Sequence, residues 1–281
     1  MSNFKVKIYH FLPFLLTILL SILFAYILLK AYNIPPLRLT FPVKGSFLFD
    51  AFYFTLTVAF AGLAVYMLSK HKRFKILKVL IFLSYFTIVF ILYVFYLPAF
   101  LWFIGVFNLS LSLPAFFLVC IVAASLTLYC IFVVKGLPRN ILILVFVSSL
   151  GALLGFTIPT LSLTTILLAL SIYDAFAVSV GPIRKLVTLA DSTSKWVLTE
   201  LSFTYKNIFI GLGDLILYSS LIAHIYIFFS LQIFLLCFII VLLGIFLSLK
   251  MLEKWGMFPG LPITIIPPVI LLLTITLFNL T

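Results

Sequence analysis

The chain has 281 residues, of which 65% are hydrophobic and 9% charged, with a mean hydropathy of +1.39 and a formal net charge of +12. An ordinary soluble domain is about half apolar and a quarter charged, so this composition excludes that class and describes a polytopic membrane protein. The positive charge comes with no nucleic-acid-binding module. It lies in short loops between apolar runs, where Lys and Arg set topology and meet lipid headgroups.

A helix needs about 20 apolar residues to cross the hydrocarbon core. Breaking the chain at charges, Pro clusters and Gly predicts nine spans, at 8–29, 47–69, 76–97, 113–134, 141–158, 161–181, 206–228, 230–249 and 259–280. The first follows Lys5 and Lys7 but runs on to Leu29, too long for a signal-peptide core, and lacks a small-residue cleavage site. It is read as a retained helix. Pro159 and Thr160 break the chain after the fifth span; Ser230 and Gln232 make a weaker break after the seventh.

With the N-terminus cytoplasmic and the C-terminus outside, fifteen of the 18 Lys and Arg fall in inner segments, and the outer ones are Lys30, Arg38 and Lys44. The positive-inside rule predicts this alternation. The expected fold is therefore an all-α membrane protein, one polytopic domain over 1–281. Spans one to five occupy 1–159; spans six to nine occupy 160–281, with a cytoplasmic loop at 182–205.

Only six residues are acidic, and two of them, Asp174 and Asp214, lie inside long apolar segments. An ionised carboxylate at the bilayer centre costs roughly 2.5–3.5 kcal/mol or more, which marks both as functional candidates. On the predicted spans each lies roughly 10–12 Å from a cytoplasmic helix end. Pro259-Gly260-Leu261-Pro262 opens the last span on the same side. Pro259, Pro262, Pro267 and Pro268 are not expected to fit inside one unbroken helix, so a frayed entrance is expected there.

Two nearby carboxyls can hydrolyse a peptide. One, ionised, draws a proton from water while the other hydrogen-bonds to the scissile carbonyl. Two such groups share a proton, and their titration belongs to the pair. Gly211 and Gly213 strip side chains from the approach to Asp214, and Tyr173 adjoins Asp174. Water is expected to enter from the cytoplasm, and a substrate helix must unwind to expose its carbonyls.

Leu170-Ser171-Ile172-Tyr173-Asp174, Ala177-Val178 and Gly181-Pro182-Ile183-Arg184 together resemble the presenilin family. Gly211-Leu212-Gly213-Asp214 with Tyr218-Ser219 does so too, as does Pro259-Gly260-Leu261, which is similar to that family's Pro-Ala-Leu motif with glycine in place of alanine. The resemblance implies an intramembrane aspartic endopeptidase of the GxGD type. Asp174 and Asp214 would be catalytic; Tyr173, Gly211, Leu212, Gly213, Pro259, Gly260 and Leu261 would position substrate. It implies transmembrane-helix substrates and lipid as partners, with no nucleic acid, cofactor or metal and no required accessory subunit. A multi-pass cell-membrane protein is expected. The loop 182–205 is shorter than in animal presenilins, which bears on self-cleavage.

Rival classes share some of these features, a catalytically inactive membrane chaperone among them. A proton- or ion-coupled secondary transporter also uses intramembrane Asp, Gly and Pro-broken helices, but no internal repeat is visible. A prepilin-peptidase-like enzyme shares Gly-x-Gly-Asp but not the Tyr-Asp or Pro-Gly-Leu features. Asp50, Asp191, Glu200 and Glu253 read as interfacial or solvated charges, and His224 as a structural hydrogen-bonding residue. Trp102, Trp196 and Trp255 suit membrane interfaces. Cys120, Cys130 and Cys237 read as small buried residues rather than disulfides.

Overall fold

The computed structural model describes residues 6–32, 46–105, 112–134, 136–179, 202–205, 208–255 and 258–278. Among them a 3-10 turn, Ile8–Phe11, leads into α1, Leu12–Tyr32. There follow α2, Ser46–Lys70; α3, Phe74–Phe103; α4, Leu113–Val133; α5, Leu137–Thr157; and α6, Thr160–Ser179. A hairpin of β1, Ser202–Tyr205, and β2, Ile208–Gly211, precedes α7, Leu212–Phe228; then come α8, Leu231–Trp255, and α9, Gly260–Leu277. Seven of these helices are long and apolar enough to cross a membrane, and α7 and α9 are shorter apolar helices. The chain is an integral membrane protein. Apart from the hairpin, the described residues bear out the helical expectation.

Two differences from the expected spans have physical causes. The seventh helix starts at Leu212 rather than near Lys206, because Ile208–Gly211 pairs antiparallel with Ser202–Tyr205, the end of the expected loop. Phe203 faces Ile210 in that register, and both are buried. β-branched and aromatic residues there suit a half-buried strand, and Gly211 and Gly213 weaken any helix extended backwards. The prolines of the last span also fit a continuous α9, without the expected fraying. Pro259 stands outside as its N-cap, Pro262 lies in the first turn, and Pro267 and Pro268 lie inside. First-turn N–H groups have no helical partner to lose. The carbonyl of Ile263, whose helical donor Pro267 lacks, lies against Gly244 of α8, 3.0 Å from where a Cβ there would stand.

The core is formed by α1, α5 and α7, which pack extensively on one another. Gly151 and Gly155, a small-x-x-x-small pair, allow α7 to approach α5 closely. A Cβ on Gly151 would overlap that of Ser219, and one on Gly155 would stand 2.5 Å from the Ser220 carbonyl. Outside this core, α6 packs on α2 and α9, and α9 on α8. The outer face of α2 exposes Phe49, Phe52, Tyr53 and Phe60, as a lipid-facing helix should.

Many polar residues inside the spans are satisfied within the chain, as the absence of water in lipid favours, though the Thr55 and Ser69 hydroxyls of α2 are not. Thr165 donates to the Leu161 carbonyl at 2.6 Å, and Ser171 to that of Leu167 at 2.8 Å. His224, fully buried, has Nδ1 2.7 Å from the Gly155 carbonyl and Nε2 2.9 Å from the Thr160 hydroxyl. The helical partner of that carbonyl would be residue 159, which is proline and has no N–H. His224 therefore caps α5 and ties the α5–α6 junction to α7, the structural role expected of it.

Asp50 accepts a 2.8 Å hydrogen bond from Ser162, and the exposed Glu253 accepts one from the Val6 N–H at 3.2 Å. Cys120 and Cys237 are buried and Cys130 half-buried, all three free thiols. Trp102 and Trp255 are exposed near helix ends. Asp191, Trp196 and Glu200, and the Gly181–Arg184 stretch, lie outside the described residues.

Candidate active site

Asp174 sits on α6, five residues before its end at Ser179, and is half-buried. Its Oδ2 accepts a hydrogen bond of 3.3 Å from the Leu261 backbone N–H, in the first turn of α9. Orphan N–H groups at a helix start are available donors, and here one is aimed at a carboxylate. Tyr173 is half-buried beside it; its hydroxyl lies 3.0 Å from where a Cβ on Gly62 of α2 would stand.

Asp214 is the third residue of α7, whose N-cap is Gly211. It lies at the mouth of the helix rather than two turns inside it, because the hairpin has replaced the expected first turns. At 17 residues α7 spans about 26 Å, short of a hydrocarbon core of about 30 Å. Half-buried, Asp214 folds its side chain back over Gly211, with Oδ2 3.3 Å from that residue's notional Cβ. The positive end of the α7 dipole is therefore beside it.

The remaining candidates divide by environment. Leu212 and Leu261 are buried. Gly213 is exposed and has no atom within 4 Å of a notional Cβ, so it borders open space and serves no helix contact. Pro259 holds an extended φ/ψ of −69° and 111° as the N-cap of α9. Gly260 is half-buried, and a Cβ there would stand 3.2 Å from the Tyr218 hydroxyl.

These elements meet at the entrance of α9, which packs on α6; α7 touches α6 and α9 only sparingly. They are linked at the entrance of α9, where Leu261 donates to Asp174 and Gly260 adjoins the hydroxyl of Tyr218, which lies one turn after Asp214 on α7. The structure thus brings Tyr173, Asp174, Gly211, Asp214, Gly260 and Leu261 to one region where α6, α7 and α9 converge. Gly62, Ser248 and Thr264 border it and were not singled out from the sequence. A glycine, a serine and a threonine inside apolar spans carry no signal of their own.

No protein-family model matches the chain. Over 138 residues, 45% of this chain, it is 36% identical to Presenilin-B of Dictyostelium discoideum, and the match spans 28% of that protein's length. Its structure is similar to that of a presenilin family intramembrane aspartate protease, with a TM-score of 0.62 over 96% of this chain and 99% of the other. At 18% identity that second likeness is one of fold. The chain has the presenilin-family intramembrane aspartate protease fold, and the resemblance read from its motifs is borne out.

Proposed function

We propose that the chain is an intramembrane aspartic endopeptidase of the GxGD type that uses Asp174 and Asp214 as a pair. The observation that supports this most is their placement: two acidic side chains on separate helices, gathered with the Pro259–Leu261 segment, in a fold shared with an aspartate protease. A carrier could use such carboxylates too, but the fold likeness is to a protease.

The chemistry follows from two carboxyls of which one is ionised. The ionised group takes a proton from water, and the resulting hydroxide adds to the scissile carbonyl carbon. The protonated partner donates to the carbonyl oxygen as it gains charge. Collapse of the tetrahedral species breaks the C–N bond, with a proton passing to the departing amine. Activity should follow a bell-shaped pH profile whose two limbs belong to the pair.

Gly213 leaves an open slot beside Asp214, and the hairpin immediately before it offers strand backbone. An unwound substrate segment can lie in that slot and add to the hairpin edge by main-chain hydrogen bonds. Substrates are single-span membrane helices, reached through surrounding lipid and without accessory subunits. By the positive-inside rule, the distribution of Lys and Arg supports an N-terminus and a site mouth on the cytoplasmic side of the cell membrane.

The test is cleavage of a single-span peptide by purified protein in detergent, followed by mass spectrometry. Internal cleavage blocked by a transition-state-analogue aspartic inhibitor supports the proposal. An intact peptide, with inhibitor-insensitive proton or solute flux in liposomes, contradicts it.

A further inference from the structure

Hydroxyl groups from three helices gather at Gly260, the residue before the backbone N–H that contacts Asp174. Tyr218 lies four residues after Asp214, on the same side of α7, and is 3% exposed. Its hydroxyl lies 3.2 Å from where a Cβ on Gly260 would stand. Thr264 donates to the Gly260 carbonyl at 3.0 Å. Ser248 of α8 donates to the same carbonyl at 3.2 Å and lies 3.3 Å from the Thr264 hydroxyl. The next residue, Leu261, presents its N–H to Asp174.

Packing gives this contact its meaning. Because α6 and α7 barely touch, their direct contact cannot fix the separation of the two carboxylates. Helix α9 packs extensively on α6 and α8 but, like α6, meets α7 only sparingly, and Gly260 against the Tyr218 hydroxyl is one of those few meetings. Its far side is already fixed by the close approach of Gly244 to Thr264, where a Cβ would stand 2.7 Å from the Thr264 Cα. On the α7 side the entrance of α9 meets a phenol.

We propose that Tyr218 is a positioning residue: its hydroxyl, seated against Gly260, sets where the mouth of α9 lies and so the separation of Asp174 from Asp214. This rests on the reading of the chain as an aspartic protease acting through that pair. Gly260 is the socket for the hydroxyl. A methyl group there meets it at 3.2 Å, so the neighbour must give by a few tenths of an ångström. Small displacements matter to such a site, because a misplacement of about 1 Å can cost about 100-fold in rate.

The test uses full-length protein in detergent with a cleavable single-span peptide, comparing Tyr218→Phe, Gly260→Ala and the double variant with wild type. Tyr218→Phe keeps the ring and removes only the hydroxyl. It is expected to lower kcat about 10-fold with KM and melting temperature unchanged, the signature of an interaction that serves the transition state. Affinity for a transition-state-analogue inhibitor, which needs both carboxyls in place, should fall in parallel. Gly260→Ala should also lower kcat, and the double variant should be no slower than Tyr218→Phe alone, because the phenylalanine leaves room for the methyl. Thr264→Ser should retain more activity than Thr264→Val, which removes the hydroxyl held on the Gly260 carbonyl and so loosens Gly260 without altering Tyr218.

Wild-type kcat in Tyr218→Phe overturns the proposal. So do independent, multiplying losses in the double variant, or a change confined to melting temperature. If Tyr218→Phe does not fold, the Gly260 and Thr264 variants decide the matter by the same criteria. Wild-type protein without inhibitor-sensitive cleavage overturns the protease reading and this proposal together. Normal inhibitor-sensitive cleavage in wild type and Tyr218→Phe alike removes this proposal alone.

Discussion

The backbone N–H of Leu261 donates to Oδ2 of Asp174 at 3.3 Å, joining residues 87 apart in sequence. Through that bond the first turn of α9 lies against the carboxylate of α6, while its Gly260 adjoins Tyr218 of α7. The proline motif and the two aspartates are therefore parts of one arrangement. Each of its joints can be broken separately.

The tightest joint is the α5–α7 crossing. Gly155→Ala places a methyl 2.5 Å from the Ser220 carbonyl and 2.9 Å from the His224 nitrogen, both backbone atoms of α7 that cannot swing aside. Overpacking of this kind costs about 1–3 kcal/mol. The variant should unfold at lower denaturant or temperature in micelles than wild type. Equal stability would show that the two helices are not held so close.

His224 offers a different separation of stability from chemistry. Replacing it with Ala strands the Gly155 carbonyl and the Thr160 hydroxyl without their ring partner. Each buried polar group left unsatisfied costs about 1–3 kcal/mol. A lower melting temperature is expected, with cleavage per folded molecule close to wild type. A selective loss of turnover in fully folded protein would move His224 into the site.

Gly213 should behave in the opposite way. Its notional Cβ meets nothing within 4 Å, so Gly213→Val should leave tertiary packing intact. If substrate occupies the open space beside Asp214, the same valine should block cleavage, at least about 10-fold in kcat/KM. Melting and kinetics on one preparation check both halves. A stable, fully active Gly213→Val would show that substrate does not approach there.

Most of the fold was legible because lipid imposes a simple rule on the sequence. Apolar runs of spanning length gave the helices, and their ends moved by a few residues in the structure. The exception, Ile208–Gly211, is a short apolar run, which periodicity cannot assign to strand or helix; its hairpin pairing, with Phe203 opposite Ile210, decides it. Likewise Pro267 and Pro268 looked incompatible with one helix, yet neighbouring helices in a bundle tolerate the lost donors. In the site, Asp174 and Asp214 were visible because charge is rare in lipid. Gly62, Ser248 and Thr264 were not, because their importance depends on which helices become neighbours, and hydroxyl residues are ordinary inside spans.

The central claim is that Asp174 and Asp214 act together. The most direct measurement is cleavage of the single-span peptide by Asp174→Asn and by Asp214→Asn, each confirmed to fold by its melting temperature. Asparagine keeps the shape and removes the acid. Loss of turnover by at least about 10²–10⁴-fold in both variants is expected, the scale of acid–base catalysis by a positioned group. Wild-type turnover in either folded variant would contradict the account, because a proton-sharing pair cannot work with one member missing.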